Sequence, residues 1–212
     1  MLELSLIQKI AISIIPVLFA ITVHEVAHGW VANKLGDPTA RLLGRLTLNP
    51  IKHIDPIGTI LVPGILLLLG GFIFGWAKPV PITWQNLKHK RRDVALVSLA
   101  GPLSNLVMAI FWAILFKIAL NFNPQPINYA FAILVMSQIG VVINIILMVL
   151  NLIPIPPLDG SRVVSSFLPG RIAYQYDKLE PYGFIILIVL LATGMLSLIM
   201  SPVVNRLVQA LI

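Results

Sequence analysis

The charged residues of this chain stand in groups, and long uncharged windows lie between the groups. These windows run from Lys9 to Glu25, Asp55 to Lys78, Asp93 to Lys117, Lys117 to Asp159 and Glu180 to Arg206. About 20 apolar residues cross a bilayer as one helix, and the window that ends at Asp159 is long enough for two helices. The pattern predicts membrane-spanning helices near residues 7–34, 94–119, 128–151 and 183–205.

Two segments between the first and second predicted helices are not ordinary spans. The stretch 57–76 is long enough to cross a membrane, but Pro63, Gly64 and a later glycine pair favour a bent or re-entrant path. Residues 40–59 lack helical periodicity and predict short strands or an irregular hairpin. We therefore expect an all-α polytopic membrane protein with about four full transmembrane helices. We also expect a re-entrant or short fifth apolar segment at 57–76 and a small β or irregular element at 40–59.

The composition excludes several classes of protein. Of the 212 residues, 58% are hydrophobic and only 11% are charged. A soluble domain carries about a quarter charged residues, so lipid must cover the surface that lacks them. A soluble enzyme, a disordered protein and a nucleic-acid binder are therefore excluded. No polar segment is long enough for an extramembrane domain, and we expect one membrane-embedded domain over residues 1–212.

The basic residues indicate the topology. The net charge of +7 comes from residues between the apolar windows, where orientation in the membrane explains it better than a polyanion partner. If 57–76 crosses the membrane, nine of the 15 Lys and Arg residues lie on one side and six on the other. If it returns to the side it entered, twelve lie on one side and three on the other. The second division obeys the positive-inside rule. It predicts a multi-pass protein of the cell (inner) membrane, with the twelve basic residues in the cytosol.

The first helix carries a motif with metal-binding spacing, His24-Glu25-Val26-Ala27-His28. Residues four apart on a helix lie about 40° apart around its axis, so both imidazoles can bind one Zn²⁺. Glu25 stands beside them and can act on a metal-bound water. Two unrelated surface histidines are the simple alternative, but an ionisable Glu in an uncharged membrane window is costly without partners.

A catalytic zinc needs a third protein ligand, which is a His or a carboxylate here because the chain has no cysteine. The candidates are His53, His89 and the carboxylates. Asp159 stands out because it ends the longest uncharged window and follows prolines that hold the chain extended. The alternative is a plain Asp-Gly turn. Only a returning path for 57–76 brings His28 and Asp159 to the same membrane face.

Three asparagines are candidates for contacts with a substrate. Asn144 and Asn151 are seven residues apart and share a helix face, and with Asn105 they can line the site. There they would donate hydrogen bonds to a substrate backbone or a developing oxyanion. Hydrogen bonding between helices is the alternative use of such residues. His53 can also approach the metal, although an interfacial histidine is the simpler interpretation.

Three motifs in order resemble those of one known family. Residues 24–28 match H-E-x-x-H, residues 100–105 (Ala-Gly-Pro-Leu-Ser-Asn) are similar to a G-P-x-x-N element, and residues 151–160 (Asn-Leu-Ile-Pro-Ile-Pro-Pro-Leu-Asp-Gly) match an asparagine-and-proline-led L-D-G motif. The chain resembles the site-2 protease family of intramembrane zinc metalloproteases, in its short bacterial form without PDZ or CBS domains.

The resemblance implies a role for each motif residue. His24, His28 and Asp159 would hold one Zn²⁺ per chain, and Glu25 would be the catalytic base. The catalytic core would cover about residues 7–165. The topology from the charge count, and the need for water at the site, predict an active site near the cytosolic face. Substrates would be transmembrane segments of other proteins, or segments next to the lipid bilayer.

Two other functions compete with this interpretation. A transporter or channel could use the His, Glu and Asn side chains as an ion relay, and an inactive membrane scaffold could bind zinc without catalysis. A strand edge within 40–59, if present, could receive an extended substrate by β-augmentation. The sequence names neither the substrate nor the oligomeric state.

Overall fold

The computed structural model describes residues 6–61, 77–122 and 129–212, together with the single positions 65 and 124. All regular structure in these ranges is helical, and they contain no strand. The α-helices are α1 (Leu6–Leu35), α2 (Thr39–Leu42), α3 (Lys90–Leu120), α4 (Tyr129–Asn151), α5 (Asp159–Phe167), α6 (Gly170–Asp177), α7 (Glu180–Ala192) and α8 (Met195–Leu211). The all-α membrane fold predicted from the sequence is confirmed.

Within the described ranges, three helices are long and apolar enough to cross a membrane: α1 over Ile10–Leu35, α3 and α4. They match the predicted helices near 7–34, 94–119 and 128–151. The predicted helix near 183–205 is instead divided into α7 and α8, which meet at an angle of 78° and can count together as one broken span. Gly194 lies at this break with φ +74°, a conformation that L-residues rarely adopt and that stops α7 from continuing as a straight helix.

The bundle of α1, α3 and α4 forms the centre of the molecule, and α8 packs against α4 from outside. Trp112 of α3 and Val141 and Ile145 of α4 form an apolar core with residues of α8. Gly140 makes the close approach possible, because a Cβ there would lie 2.4 Å from the Trp112 ring. Lipid is as apolar as these side chains, so close packing and polar contacts between the helices must stabilise the bundle.

The segment predicted as strands or irregular structure at 40–59 contains the end of α2, short helical turns and irregular chain, and the strand alternative is wrong for the described residues. It contains a short 3₁₀ turn, Pro50–His53, and a π-helical turn that begins at Pro56. Side chains stabilise both turns: Asn49 accepts a hydrogen bond from the Ile51 amide, and Asp55 accepts from two following amides. Proline and such side-chain acceptors favour turns over a strand ladder. The described residues of 40–59 therefore offer no strand edge for β-augmentation.

The predicted re-entrant segment at 57–76 lies largely outside the described residues, but both of its flanks are described. The amide of Lys78 donates a hydrogen bond to the carbonyl of His53 at 3.0 Å, and the amide of Lys88 lies 3.4 Å from the carbonyl of Leu35. The chain that leaves the end of α1 therefore returns to the same end of the bundle before α3 begins.

Residues 77–83 have no regular secondary structure, and we call this segment the strap. One end of the strap is tied to Asp37, which is fully buried just after α1. The Asp37 carboxylate accepts hydrogen bonds from the Thr83 amide at 2.7 Å, from Asn86 Nδ2 at 2.9 Å, and from the amide and hydroxyl of Thr39. Burial acts to raise the pKa of Asp37, but these hydrogen bonds outweigh it and hold the pKa below its ordinary value.

Candidate metal centre

Two histidines of α1 and the first residue of α5 meet at one point inside the bundle. Nε2 of His24 and Nε2 of His28 are 3.0 Å apart, and each lies 3.3 Å from Oδ2 of Asp159. Both histidines are buried, and Asp159 is half-buried. Two ligands of a tetrahedral zinc ion, each about 2.0–2.1 Å from the metal, lie about 3.3 Å apart. The triangle of donor atoms therefore has the dimensions of a zinc site.

The outer nitrogens of the two imidazoles are held by acceptors. His28 Nδ1 donates to the carbonyl of Val97 at 2.7 Å, and His24 Nδ1 donates to Oδ1 of Asn105 at 2.6 Å. The amide of Asn105 is oriented by the carbonyl of Ala20, 3.2 Å from its Nδ2, so the atom that faces His24 is the oxygen. With the proton on Nδ1, both Nε2 atoms carry a free lone pair, as metal-binding histidines require.

Asp159 supplies the negative charge that favours a cation between the three side chains. Its Oδ2 is buried and has no hydrogen-bond donor among the described residues once both Nε2 atoms are unprotonated. Three lone pairs within 3.3 Å of one another repel, and a buried carboxylate oxygen without a partner is costly. A divalent metal ion between them removes both penalties.

Gly101 of α3 leaves open the space beside the two Nε2 atoms. A Cβ at this position would lie 2.3 Å from Nε2 of His28 and 2.6 Å from Nε2 of His24. A side chain here would fill the space beside both Nε2 atoms, which a metal held by His24 and His28 would need. Glycine at position 101 thus serves the site as well as the close packing of α1 and α3.

The loop before Asp159 fixes where the carboxylate enters the site. The hydroxyl of Tyr176 donates to the carbonyl of Pro154 at 2.7 Å, and the carbonyl of Pro156 lies so close to α7 that Gly183 has no room for a Cβ. Gly160 likewise lets the first turn of α5 pack against the carbonyl of Leu152. These contacts anchor the proline-rich loop, and Asp159 follows it directly as the first residue of α5.

Glu25 is half-buried and directs its carboxylate towards the strap. Its Oε2 accepts a hydrogen bond from the main-chain amide of Val80 at 2.7 Å. His53 and His89, the other candidate third ligands, lie outside the cluster. His53 Nε2 contacts the carbonyl of Thr47 at 2.9 Å, and the exposed His89 lies beside Asp93.

The three asparagines occupy different positions relative to the cluster. Asn105 and Asn144 are fully buried, and Asn105 Nδ2 donates to Asn144 Oδ1 at 2.9 Å. Asn144 Nδ2 in turn donates to the carbonyl of Gly140. These two residues therefore form a chain that begins at His24. Asn151 is half-buried, and its Nδ2 donates to the carbonyl of Leu147 at 3.0 Å.

Sequence reasoning missed three backbone features at the site. They are the space beside Gly101, the Val97 carbonyl and the Val80 amide. Gly101 falls within a matched motif, and the prolines on either side of Val80 single out its amide. The Val97 carbonyl leaves no mark in the sequence, because every residue type supplies a main-chain carbonyl.

Comparisons with known proteins agree on one class. The family model described as "Peptidase family M50" matches residues 122–192. A protein of Bacillus subtilis (strain 168) named "Putative zinc metalloprotease YwhC" is 38% identical over 193 residues, which are 91% of this chain and 85% of that protein. "Putative zinc metalloprotease Rip2" of Mycolicibacterium smegmatis is 32% identical over 181 residues, 85% of this chain and 66% of that protein. No solved structure shows significant similarity to the chain.

A helical multi-pass membrane protein with these relatives, and with two histidines and an aspartate that can bind a metal, is a zinc metalloprotease. The chain belongs to peptidase family M50, the site-2 protease family.

Proposed function

We propose that this protease cleaves peptide bonds inside the membrane, in or near transmembrane segments of other proteins. The observation that carries the proposal is the position of His24 and His28 within the candidate span Ile10–Leu35. A site built into a spanning helix is reached most directly by a substrate that also lies in the bilayer. The family resemblance, with its transmembrane substrates, points the same way.

In this proposal His24, His28 and Asp159 hold one zinc ion, and Glu25 is the general base. A zinc ion bound there supplies a Lewis acid that polarises the scissile carbonyl and lowers the pKa of bound water. Glu25 accepts the proton from the attacking water and passes it to the departing amine. Asn105 holds the His24 ring in the orientation that directs Nε2 inwards. Asn151, within the motif that ends in Asp159, remains the candidate for a contact with the substrate.

We place the active site near the cytosolic face. The end of α1, the start of α3 and the start of α5 meet at the site, and the basic residues Lys34, Lys88 and Arg162 belong to this end of the bundle. The positive-inside rule puts such a cluster of basic residues in the cytosol. Water for hydrolysis then needs only a short path from that side.

The ligand assignment is tested by metal analysis of the purified protein. We expect one zinc per chain in the wild type and its loss in a His24→Ala, His28→Ala double variant, because two of three ligands are gone. Asp159→Asn should weaken binding, since the amide carries no charge. Full zinc occupancy in the double variant would overturn the assignment.

Catalysis is tested with Glu25→Gln, which preserves the shape of the side chain but removes the base. Zinc should stay bound, and cleavage of a panel of transmembrane peptides should fall by at least about 10². Glu180→Gln is the matched control, because it makes the same chemical change on an exposed carboxylate paired with Arg162. Undiminished cleavage by Glu25→Gln would assign the base to another residue. Zinc without any cleavage by the wild type would favour the inactive scaffold.

A further inference from the structure

The strap contains one amide whose neighbours cannot donate hydrogen bonds. Val80 lies between Pro79 and Pro81, and proline has no main-chain N–H. The Val80 amide is therefore the single donor of this tripeptide, and it lies 2.7 Å from Oε2 of Glu25. A hydrogen bond from an N–H to a carboxylate is shorter and stronger than one between neutral groups.

The strap is held in place on both sides of Val80. Before it, the Lys78 amide donates to the carbonyl of His53, and Arg45 donates to the carbonyl of Lys78, both at 3.0 Å. After it, the Thr83 amide donates to Asp37 at 2.7 Å. The position of the Val80 amide is thus set by contacts that do not involve Glu25.

The side chain of Val80 is also fixed against α1. It is buried, and its Cγ1 lies 2.8 Å from where a Cβ would stand at Gly29. Gly29 is one helical turn after Glu25, on the same face of α1. The absence of a side chain at position 29 therefore lets the strap come close enough for its amide to reach the carboxylate.

We propose that the main-chain amide of Val80 positions the Glu25 carboxylate for proton transfer. One oxygen, Oε2, is held by the amide, and the other takes and returns the proton. A free glutamate side chain samples several rotamers, and ordering it costs free energy in each catalytic cycle. The fixed amide removes this cost, which is the advantage of a prearranged general base. Val80 is a positioning residue in this role, and the inference rests on Glu25 being the base.

Amide hydrogen exchange tests the contact between the Val80 amide and Glu25 without any need for activity. In the full-length protein we expect the Val80 amide to exchange slowly, and to exchange at least about tenfold faster in Glu25→Ala, which removes the acceptor. The Lys78 and Thr83 amides have other acceptors and should keep their wild-type rates, which shows that the strap remains in place. Equal exchange at Val80 in the two proteins, with the other amides unchanged, would overturn the proposal.

Kinetic measurements test whether the Val80 amide positions Glu25. Val80→Pro removes the amide donor, and Val80→Ala retains it while shortening the side chain. We expect kcat of Val80→Pro to be at least about tenfold below that of Val80→Ala, with a smaller difference in KM and the same zinc content. Equal kcat values would refute the role, and loss of zinc from Val80→Pro would show that the strap supports the fold of the site instead.

The two proposals fail in distinguishable ways. Full activity of Glu25→Gln would remove Glu25 as the base, whatever the exchange rate of Val80. Fast exchange at Val80 in the wild type, combined with an inactive Glu25→Gln that still binds zinc, would leave the proposed function intact and remove only the positioning role.

Discussion

His53 and Lys78 are joined by a main-chain hydrogen bond of 3.0 Å, although an apolar stretch long enough to cross a membrane separates them in the sequence. The two ends of that stretch thus lie side by side. The count of basic residues favours the same returning path, and it uses none of the same information. On a returning path, the segments before and after the stretch lie on one side of the membrane.

Cysteine labelling tests this topology in intact cells, and the chain has no cysteine of its own to give a background. Cysteines introduced at Asn86 and Gly170 should be shielded from an impermeant thiol reagent added outside. A cysteine at Asn123, between the second and third spans, should be labelled. Labelling at position 86 from outside would contradict the returning path.

Gly101→Ala should abolish zinc binding. The added methyl group would lie 2.3 Å from Nε2 of His28, where it takes the space of the ion and pushes the imidazoles apart. Gly170→Ala is the control, because a Cβ there meets nothing within 4 Å. Zinc content of the two purified variants measures the difference. A Gly101→Ala protein with full zinc would mean that the ion does not occupy the space next to this glycine.

Asn105→Ala should weaken zinc binding by about 10 to 100-fold, the usual loss when the outer partner of a metal-binding histidine is removed. Without Oδ1, the Nδ1–H of His24 loses its acceptor and the ring loses its fixed orientation. Competition with a chelator measures the affinity. Val107→Ala, an exposed position on the same helix, controls for the loss of side-chain volume. If both variants bind zinc equally well, Asn105 does not orient the ligand.

Asp37→Asn should lower the midpoint of thermal unfolding by a few degrees at pH 7, because the hydrogen bonds to the strap lose their charged acceptor. The pKa of Asp37 is lower in the folded protein than its ordinary value of about 3.9. Its ionised form therefore stabilises the fold above pH 4, and this stabilisation disappears as the pH falls through the folded pKa. The difference in unfolding midpoint between Asp37→Asn and the wild type should therefore shrink as the pH is lowered. A difference that does not change with pH, or a similar effect from the exposed Asp177→Asn, would exclude this role.

The sequence predicted those features that depend on residue type and spacing. Uncharged windows located the spans, and the spacing of His24 and His28 together with the prolines before Asp159 selected residues that the structure brings together. The strand prediction at 40–59 failed because side-chain oxygens of Asn49 and Asp55 favour local turns over a ladder. The break at Gly194 was missed because single glycines also occur within continuous membrane helices, so a glycine in an apolar window does not by itself identify a left-handed residue.

The chain of hydrogen bonds from His24 through Asn105 to Asn144 links α1, α3 and α4. In a bilayer, the transfer of apolar side chains from lipid to a helix interface does little to fix the relative depth of two helices, since lipid and protein surfaces are equally apolar. Here a slide of one helical turn, about 5.4 Å, would leave three buried polar groups without partners. The contacts that orient His24 thus also fix the positions of the three helices relative to one another along the membrane normal.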